Sequence, residues 1–475
     1  MIGLKNILRN AVSGMSASQV GLTTVGHNIA NAGVEGYSRQ QVHLGTRDPL
    51  RVVAGTQEMS QIGQGARVGN IMRAHDSFIE GQIMRDRLGK GFHGGRQQAL
   101  AILERLVDNG ASPTIGDRLD DFFNSLSELS QNPSSLGTRE MVLESADRLA
   151  SSFESMAVES REVQESIDRE LREHVDKINS LADIVSQMNV AAGSIEASGK
   201  MANDFRDRRD QAIRELSDLI DIRVNAMPSG GHAISLANGF SLVQGDAVAR
   251  LQLTPDPANN GLFGVEHVST SGVVTDITRR LNQGEVGGLL DVRDRIVPTH
   301  MLEVDTLAFN INQEVNTIHQ AGFGLDGVGN RDLFTQIAGI PGAALAMRLD
   351  PAIAGSPDQL AAATDPLAVP GDNRNLQDLV SIRDSRLPGL GSVTFTSYYA
   401  EIVRSVGSEV AQNTRNLDVQ EARFNQSEAL RNSIEGVSID DEMVDLTRFQ
   451  KHFEASARVM DTVNRLMDEI MSLVR

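Results

Sequence analysis

Few stretches of this chain hold residue types at a spacing that could do chemistry. Gly89, Gly91 and Gly94 spell G-x-G-x-x-G. A dinucleotide site needs a strand before such glycines and a βαβ unit after them. Ser77–Leu88 instead looks helical and polar, so the glycines are expected to form a flexible break between helices. Gly193 to Lys200 resembles a phosphate-binding loop. Met201, however, stands where the motif needs a Ser or Thr hydroxyl for Mg²⁺, and a helix–helix turn is expected there. The ten histidines are scattered, without an i, i+4 pair or an H-E-x-x-H, which argues against a zinc site. Asp204, Asp207 and Asp210 recur every three residues and could bind a cation or transfer protons. Arg206, Arg208 and Arg209 interleave with them, so a salt-bridge ladder is the expected outcome. No G-x-S-x-G elbow occurs. The expectation is a protein that is not an enzyme and takes no cofactor and no metal.

Composition narrows the class further. The 475 residues carry a formal net charge of -19, which argues against binding nucleic acid. Aromatics make up 4% and Trp is absent, so cores must be built from Leu, Ile, Val, Met and Ala. There is no Cys. The first residues lack the long apolar core and cleavage site of a secretory signal, and no apolar run is long enough to span a membrane. An exported chain of this kind is expected to use another route.

The elements that position these residues are mostly long helices. All 13 prolines lie between Pro49 and Pro388, and none falls in 134–227. Leu4, Leu8, Ala11, Met15, Ser18, Leu22, Val25 and Ile29 alternate four and three apart. This heptad stripe predicts a helix ending near Gly33, about 45 Å long. Its only charged side chains before Val34 are Lys5 and Arg9, which suits a helix surrounded by other protein. Leu446, Phe449, Phe453, Ser456, Met460, Val463, Met467, Ile470 and Val474 form a second stripe at the C-terminus, opened by a capping-box-like Ser438 and Asp441. An isolated amphipathic helix gains little in water. The two stripes therefore need each other, or copies from neighbouring chains, and are expected to order when neighbours bury them.

A third long helix is predicted over 139–189. Its stripe comprises Leu149, Phe153, Met156, Ser160, Val163, Ile167, Leu171, His174, Ile178, Leu181, Val185 and Met188. Shorter helices are predicted at about 201–220, 296–320 and 398–434. The period switches to two at Ile222, Val224 and Ala226, and Asn238-Gly239 supplies a hairpin turn. The predicted fold class is mainly α with an inserted β domain: an elongated helical bundle whose N- and C-terminal heptad helices pair as a coiled coil. Segments 1–50 and 436–475 are expected to polymerise. Segments 51–220, 285–320 and 398–435 form the helical bundle and 221–284 a small β domain. Residues 321–397 are a Gly/Pro/Ala-rich excursion, partly irregular, ending in a strand-like Ser392–Ser397.

Residues 28–41, NIANAGVEGYSRQQ, resemble the signature of flagellar axial proteins. In these a helix with Ser-Gly-x-x-Ala, here Ser13, Gly14 and Ala17, ends in Asn28, Ile29, Ala30 and Asn31. Beyond it, Gly36, Tyr37, Ser38, Arg39 and Gln40 have the form of the hook-associated members, whereas hook and rod proteins continue differently. The resemblance extends to 203–222, where Arg206 replaces a usual apolar residue. It continues through 287–295, Asn316 and His319–Gly322, and reaches 436–449, with Asp441 at one Glu position. It implies a structural subunit exported unfolded by the flagellar type III apparatus to the outside of the cell. There it would form a ring of copies of itself between hook and filament, built on an inner coiled coil of terminal helices. The implied partners are hook protein on one side, the second junction protein and filament on the other, and an export chaperone on the C-terminal helix. Two alternatives remain open at this point: another axial protein, of hook or second junction type, or an extracellular enzyme carried on the flagellum.

Overall fold

In the computed structural model, described over residues 2–54, 57–107, 113–227 and 230–473, helices dominate. Helix α1 (Ile2–Asn31) leads into strand β1 (Gln40–Thr46), then β2 (Leu50–Ala54), β3 (Gln57–Ile62) and β4 (Ala66–Arg73). Next come α2 (Ser77–Val107), α3 (Ile115–Gln131), α4 (Leu136–Glu196) and α5 (Asn203–Leu219). Seven short strands occupy 222–276, and α6 (Gly284–Asp291) passes through one π-helical turn, Val292–Ile296, into α7 (Val297–Ala321). After short helices α8 (Ala343–Ala346) and α9 (Arg374–Ser381), the chain ends in α10 (Phe395–Glu435) and α11 (Ile439–Leu473).

Local chemistry starts the long helices. The Thr114 hydroxyl and the Asp117 carboxylate form a reciprocal capping box on α3, and Ser135 and Thr394 cap α4 and α10. Helix α4, 61 residues and about 90 Å long, is the spine. Its first half packs with α3, α7, the start of α10 and the 321–397 segment around Phe122, Phe153 and Phe334. Its second half packs with α5, α6 and the strands around Leu171, Leu216 and Val265. Between them α2, α6, α7 and α10 close on Val163 and Ile167. The expected stripe on α4 is buried from Leu149 to Leu171 and again at Ile178, Leu181 and Val185, while Val175 and Asn189 are buried in place of His174 and Met188. His174 and Met188 lie beside it, with His174 between Glu170 and Glu285. A straight helix drifts about 20° per heptad, so a stripe this long has to step sideways.

The strands in 222–276 form a four-stranded sheet, in the order of the chain, and a three-stranded one, all antiparallel. The hairpin at Asn238-Gly239 is present, with Gly239 at φ +94°. Part of the expected Ser229–Gly231 turn lies outside the described residues.

The structure departs from the sequence reading in three places. First, Gly89, Gly91 and Gly94 lie inside an uninterrupted α2 and break nothing. A Cβ on Gly91 would come within 2.1 Å of the Asp218 carbonyl oxygen, and a Cβ on Gly95 within 2.6 Å of that of Glu285. Gly91 and Gly95 are there for close backbone approach. Second, Ser392–Ser397 is not a strand: Thr394 caps α10, and Phe395 begins it fully buried.

Third, strands β1 to β4 form two antiparallel ribbons, β1 with β4 and β2 with β3, in a stretch expected to belong to the terminal segment and the bundle. The helix expected at 398–434 is present as α10, Phe395–Glu435. The excursion is irregular, as expected, yet closely held. Asn316 accepts from the N–H groups of Leu333 and Phe334, and the ring of His319 bonds Arg331 and Ala361. Among the described residues, no helix is long and apolar enough to cross a membrane.

Candidate assembly interface

The two terminal helices lie antiparallel against each other. Positions 14, 21 and 28 of α1 face 456, 449 and 442 of α11. A Cβ on Gly14 would sit 3.6 Å from that of Ser456, and one on Gly21 would sit 2.5 Å from the Phe449 ring. Asn28 donates to Glu442 at 2.9 Å. Small residues thus form the centre of the seam: Ala11, Ala17, Ser18, Gly21 and Thr24 are buried or half-buried together with Val25. The absent side chains let the helix backbones close on each other.

The large members of the expected stripe flank this centre. Leu4, Leu8, Met15, Leu22 and Ile29 are half-buried on α1. On α11, Leu446, Phe449, Phe453, Met460 and Met467 are half-buried and Val463 is buried. Ile470 is 39% exposed beyond the start of α1, and Val474 lies outside the described residues. Outside the stripes, Ile7, Val12, Val459, Leu466 and Met471 are exposed. The β1–β4 ribbon covers another side of α1, where the Ser13 hydroxyl accepts from the Ala66 N–H.

A polar joint closes the end of the pair nearest the body. Asn28, 1% exposed, uses its whole amide. Its oxygen accepts from Tyr37 Oη at 2.8 Å and the Gln40 N–H at 3.0 Å; its nitrogen donates to the Gln40 carbonyl at 2.9 Å and to Glu442. Glu442, also 1% exposed, accepts a second bond from Arg39 Nε at 2.7 Å, and Arg39 reaches Asp445 at 3.3 Å. The Arg39 N–H donates to the Glu435 carbonyl at the end of α10. Gly36 adopts φ +80°, and its carbonyl accepts from Arg431. A side chain there would strike Gln211 and Arg214. Asn31 donates to the His27 carbonyl, whereas Ala30 is exposed and takes no part. The Tyr37 hydroxyl is pushed well above its usual range by burial and by the carboxylates of Asp204, Asp207 and Glu442. It stays a neutral donor.

The aspartate row of α5 belongs to the same joint. Arg73 of β4 pairs with Asp207 at 2.7 Å and with Asp210. Asp207 also accepts from the Ser38 N–H, and Asp204 accepts from Gln40 and lies beside His27. Burial raises Asp207. At Asp210 burial pushes the same way, but Arg73 and Arg209 overcome it and hold the carboxyl below its usual range. This is the expected ladder with a different partner. Arg206 turns to Glu196, Arg208 is exposed, and Arg73 arrives from 134 residues away in the chain. Sequence reasoning missed Arg73, Glu435, Glu442 and Asp445. Ser38–Gln40 and the acidic start of α11 were visible, but nothing in their spacing pairs residues 400 apart.

Among the described residues, His75, Glu80 and Glu435 are the group close enough together to hold an ion. Arg214 and Arg431 already pair with Glu80, and Arg431 with Glu435, so the cluster presents no free negative charge to a cation.

Known protein families match three stretches of the chain. The family model of the flagellar hook-associated protein FlgK helical domain matches residues 100–334. The C-terminal model of the flagellar basal body rod FlgEFG proteins matches 430–473, and that of the flagella basal body rod protein matches 8–37. Flagellar hook-associated protein 1 of Escherichia coli (strain K12) is 23% identical across 99% of this chain and 100% of its own. That of Bacillus subtilis (strain 168) is 25% identical across 98% and 97%. The chain belongs to the flagellar hook-associated protein 1 family.

In this family member the two rod-protein matches cover the two sides of the seam: α1 with the loop to Tyr37, and the end of α10 with α11. The fold agrees. The flagellar hook junction protein FlgK from Burkholderia pseudomallei superposes with a TM-score of 0.65 at 15% identity, over 74% of this chain and all of that one.

Proposed function

We propose that this chain is the structural subunit joining hook to filament in the bacterial flagellum, and that it polymerises through α1 and α11. The observation that carries this is the unfinished seam. Pairing within one chain leaves Leu4, Leu8, Met15, Leu22, Phe453 and Met467 half-exposed, with Ile470 and Met471 open to solvent. Lys5 and Arg9 are the only charges on α1, so its outer face costs little to desolvate against a neighbour.

Finishing the burial of a Leu or Met contributes about 1.5–3 kcal/mol at most. Ordering backbone costs about 1–2 kcal/mol per residue. Several neighbours together can supply what one partner helix does not, and folding of the termini is thereby coupled to polymerisation. Segments 1–50 and 436–475 are the polymerising part. The helical body (51–220, 285–320 and 398–435), the β domain 221–284 and the excursion 321–397 face outward.

The partners are copies of this chain in a ring, hook protein below, and the second junction protein and filament above. A chaperone holds the C-terminal stripe during type III export to the outside of the cell. The role is mechanical rather than catalytic. Deleting 440–475 is expected to abolish filament attachment and motility. Cells whose truncated protein still joins filaments to hooks, seen by labelled imaging of isolated junctions, would refute the proposal.

A further inference from the structure

One peptide group of the 321–397 excursion is held at both ends. The Leu360 carbonyl accepts from Arg139 Nη1 of α4 at 2.6 Å, and the Ala361 N–H donates to Nε2 of His319, on α7, at 3.0 Å. Carbonyl and N–H here belong to the same peptide unit. On the far side of the ring, Nδ1 of His319 lies 2.7 Å from the Arg331 carbonyl. A carbonyl can only accept and a backbone N–H can only donate, so the ring is neutral and carries its proton on Nδ1. A protonated ring would have a second N–H, aimed at the Ala361 N–H.

The surroundings keep that second proton away. His319 is fully buried, and burial, the largest influence, pulls its pKa down to about 4. Arg331 and Arg139 act in the same direction, whereas the Arg331 carbonyl and the Asp332 carboxylate favour the charge. Asp332 is bonded by Gln320, Arg331 pairs with Asp326, and Asp358 lies beside Arg139. Helix α9 brings Asn375, uncharged and bonded to the Ile318 carbonyl. Arg139 is 1% exposed and donates to the carbonyls of Pro133, Pro357 and Leu360. A cation on His319 would face that buried cation across a single peptide group. The clamped segment has few other holds on the helices. Beyond Leu360 it buries only the methyl groups of Ala361, Ala362 and Ala363, and its backbone pairs with Phe323 and Leu325 of the excursion itself.

We propose that Arg139 and His319 form an acid-released latch, which clamps the Leu360–Ala361 peptide and ties residues 357–363 to α4 and α7 only while the His319 ring is neutral. A released ring takes up its proton near pH 6.5. The latch is therefore at full strength above that pH and weakens as the pH falls toward 4. Between pH 6.5 and 4.5 the ratio of released to latched segment rises roughly fortyfold. The device lies within the body and does not depend on the assembly reading, so either can fail alone.

Hydrogen exchange by mass spectrometry on the full chain tests this, with each rate divided by the intrinsic rate at the same pH. Protection of 357–363 is expected to fall at least tenfold more than that of 149–167 in α4 between pH 6.5 and 4.5. A segment that keeps its protection, or loses it only in step with α4, overturns the proposal. In His319→Gln, whose side chain does not titrate, the extra loss is expected to vanish; its persistence would assign the acid sensitivity to another group and the proposal fails. Where Gln at 319 already frees 357–363 at pH 7 while α4 stays protected, nitrogen NMR of the histidine-labelled unaltered chain decides, the His319 signal being the one missing from the variant. That ring is expected to carry its proton on Nδ1 at pH 7 and to charge below pH 5, together with the loss of protection. A ring that charges near pH 6.5 while 357–363 stays protected refutes the latch.

Discussion

Gly21 offers the sharpest test of how the seam is built. Replacing it by Ala places a methyl group 2.5, 2.6 and 2.7 Å from three carbons of the Phe449 ring. Carbon atoms pack at about 3.5–4.0 Å, so the ring must retreat by roughly 1 Å. Such overpacking costs typically about 1–3 kcal/mol. Against it, Ala is favoured over Gly within a helix by about 1 kcal/mol. The expected net effect is a loss of up to about 2 kcal/mol. Gly26, five residues on in the same helix, is exposed, and a Cβ there meets nothing within 4 Å. Gly26→Ala keeps only the helix gain of about 1 kcal/mol. The two variants should therefore differ by about 1–3 kcal/mol, or roughly five- to more than a hundredfold in protection of the α1 and α11 amides. Hydrogen exchange by mass spectrometry on the full chain reads this segment separately from the body. If Gly21→Ala gains protection as Gly26→Ala does, the close approach of Phe449 to α1 is wrong, and with it the small-residue seam.

Helix α2 allows a similar pair. Gly91→Ala drives a methyl into the backbone of α5 at Asp218 and should destabilise by about 1–3 kcal/mol or more, whereas Gly94→Ala, with open space around it, should stabilise by about 1 kcal/mol. Equal effects in urea unfolding would return these glycines to the role of a flexible break. His300 is buried with no hydrogen-bond partner on either ring nitrogen, and burial pulls its pKa down to about 4. The unfolded chain takes up that proton near pH 6.5, so the stability contributed by the neutral ring is present above that pH. It is lost as the pH falls toward 4, by roughly 3 kcal/mol. His300→Leu should shrink the drop in urea midpoint between pH 7 and pH 4.5; an unchanged drop would place the acid sensitivity elsewhere, with His232 and His319, which burial depresses likewise, the first to test.

Much of the fold was legible because long helices advertise themselves. Leu149 to Leu171 on α4 and Leu446 to Met467 on α11 repeat often enough for periodicity to stand out, and proline-free stretches bound them. The β1–β4 ribbon was not legible. It meets a polar side of α1, where Ser13 accepts from the Ala66 N–H and Asn10 and Arg9 bond Gly63 and Gln64 just before β4, so its strands lack the apolar alternation that marks a half-buried sheet. The glycines of α2 misled for a related reason. A glycine that permits flexibility and one that permits contact are spelt alike, and only the backbone of Asp218 or Glu285 opposite tells them apart.

The joint shows where the division falls. The sequence alone determined that both termini are heptad helices, that the first is almost uncharged, and that Asn28–Gln40 is a distinctive segment closing the first helix. Those properties are local, carried by spacing and residue type within a few turns. Only the tertiary structure decided that the helices run antiparallel, that Gly14 and Gly21 rather than the leucines form the centre of the seam, and that Asn28 and Arg39 meet Glu442. Pairing of residues some 400 positions apart leaves no trace in periodicity. It depends on where the body, through β4, α5 and the end of α10, sets the two helix ends.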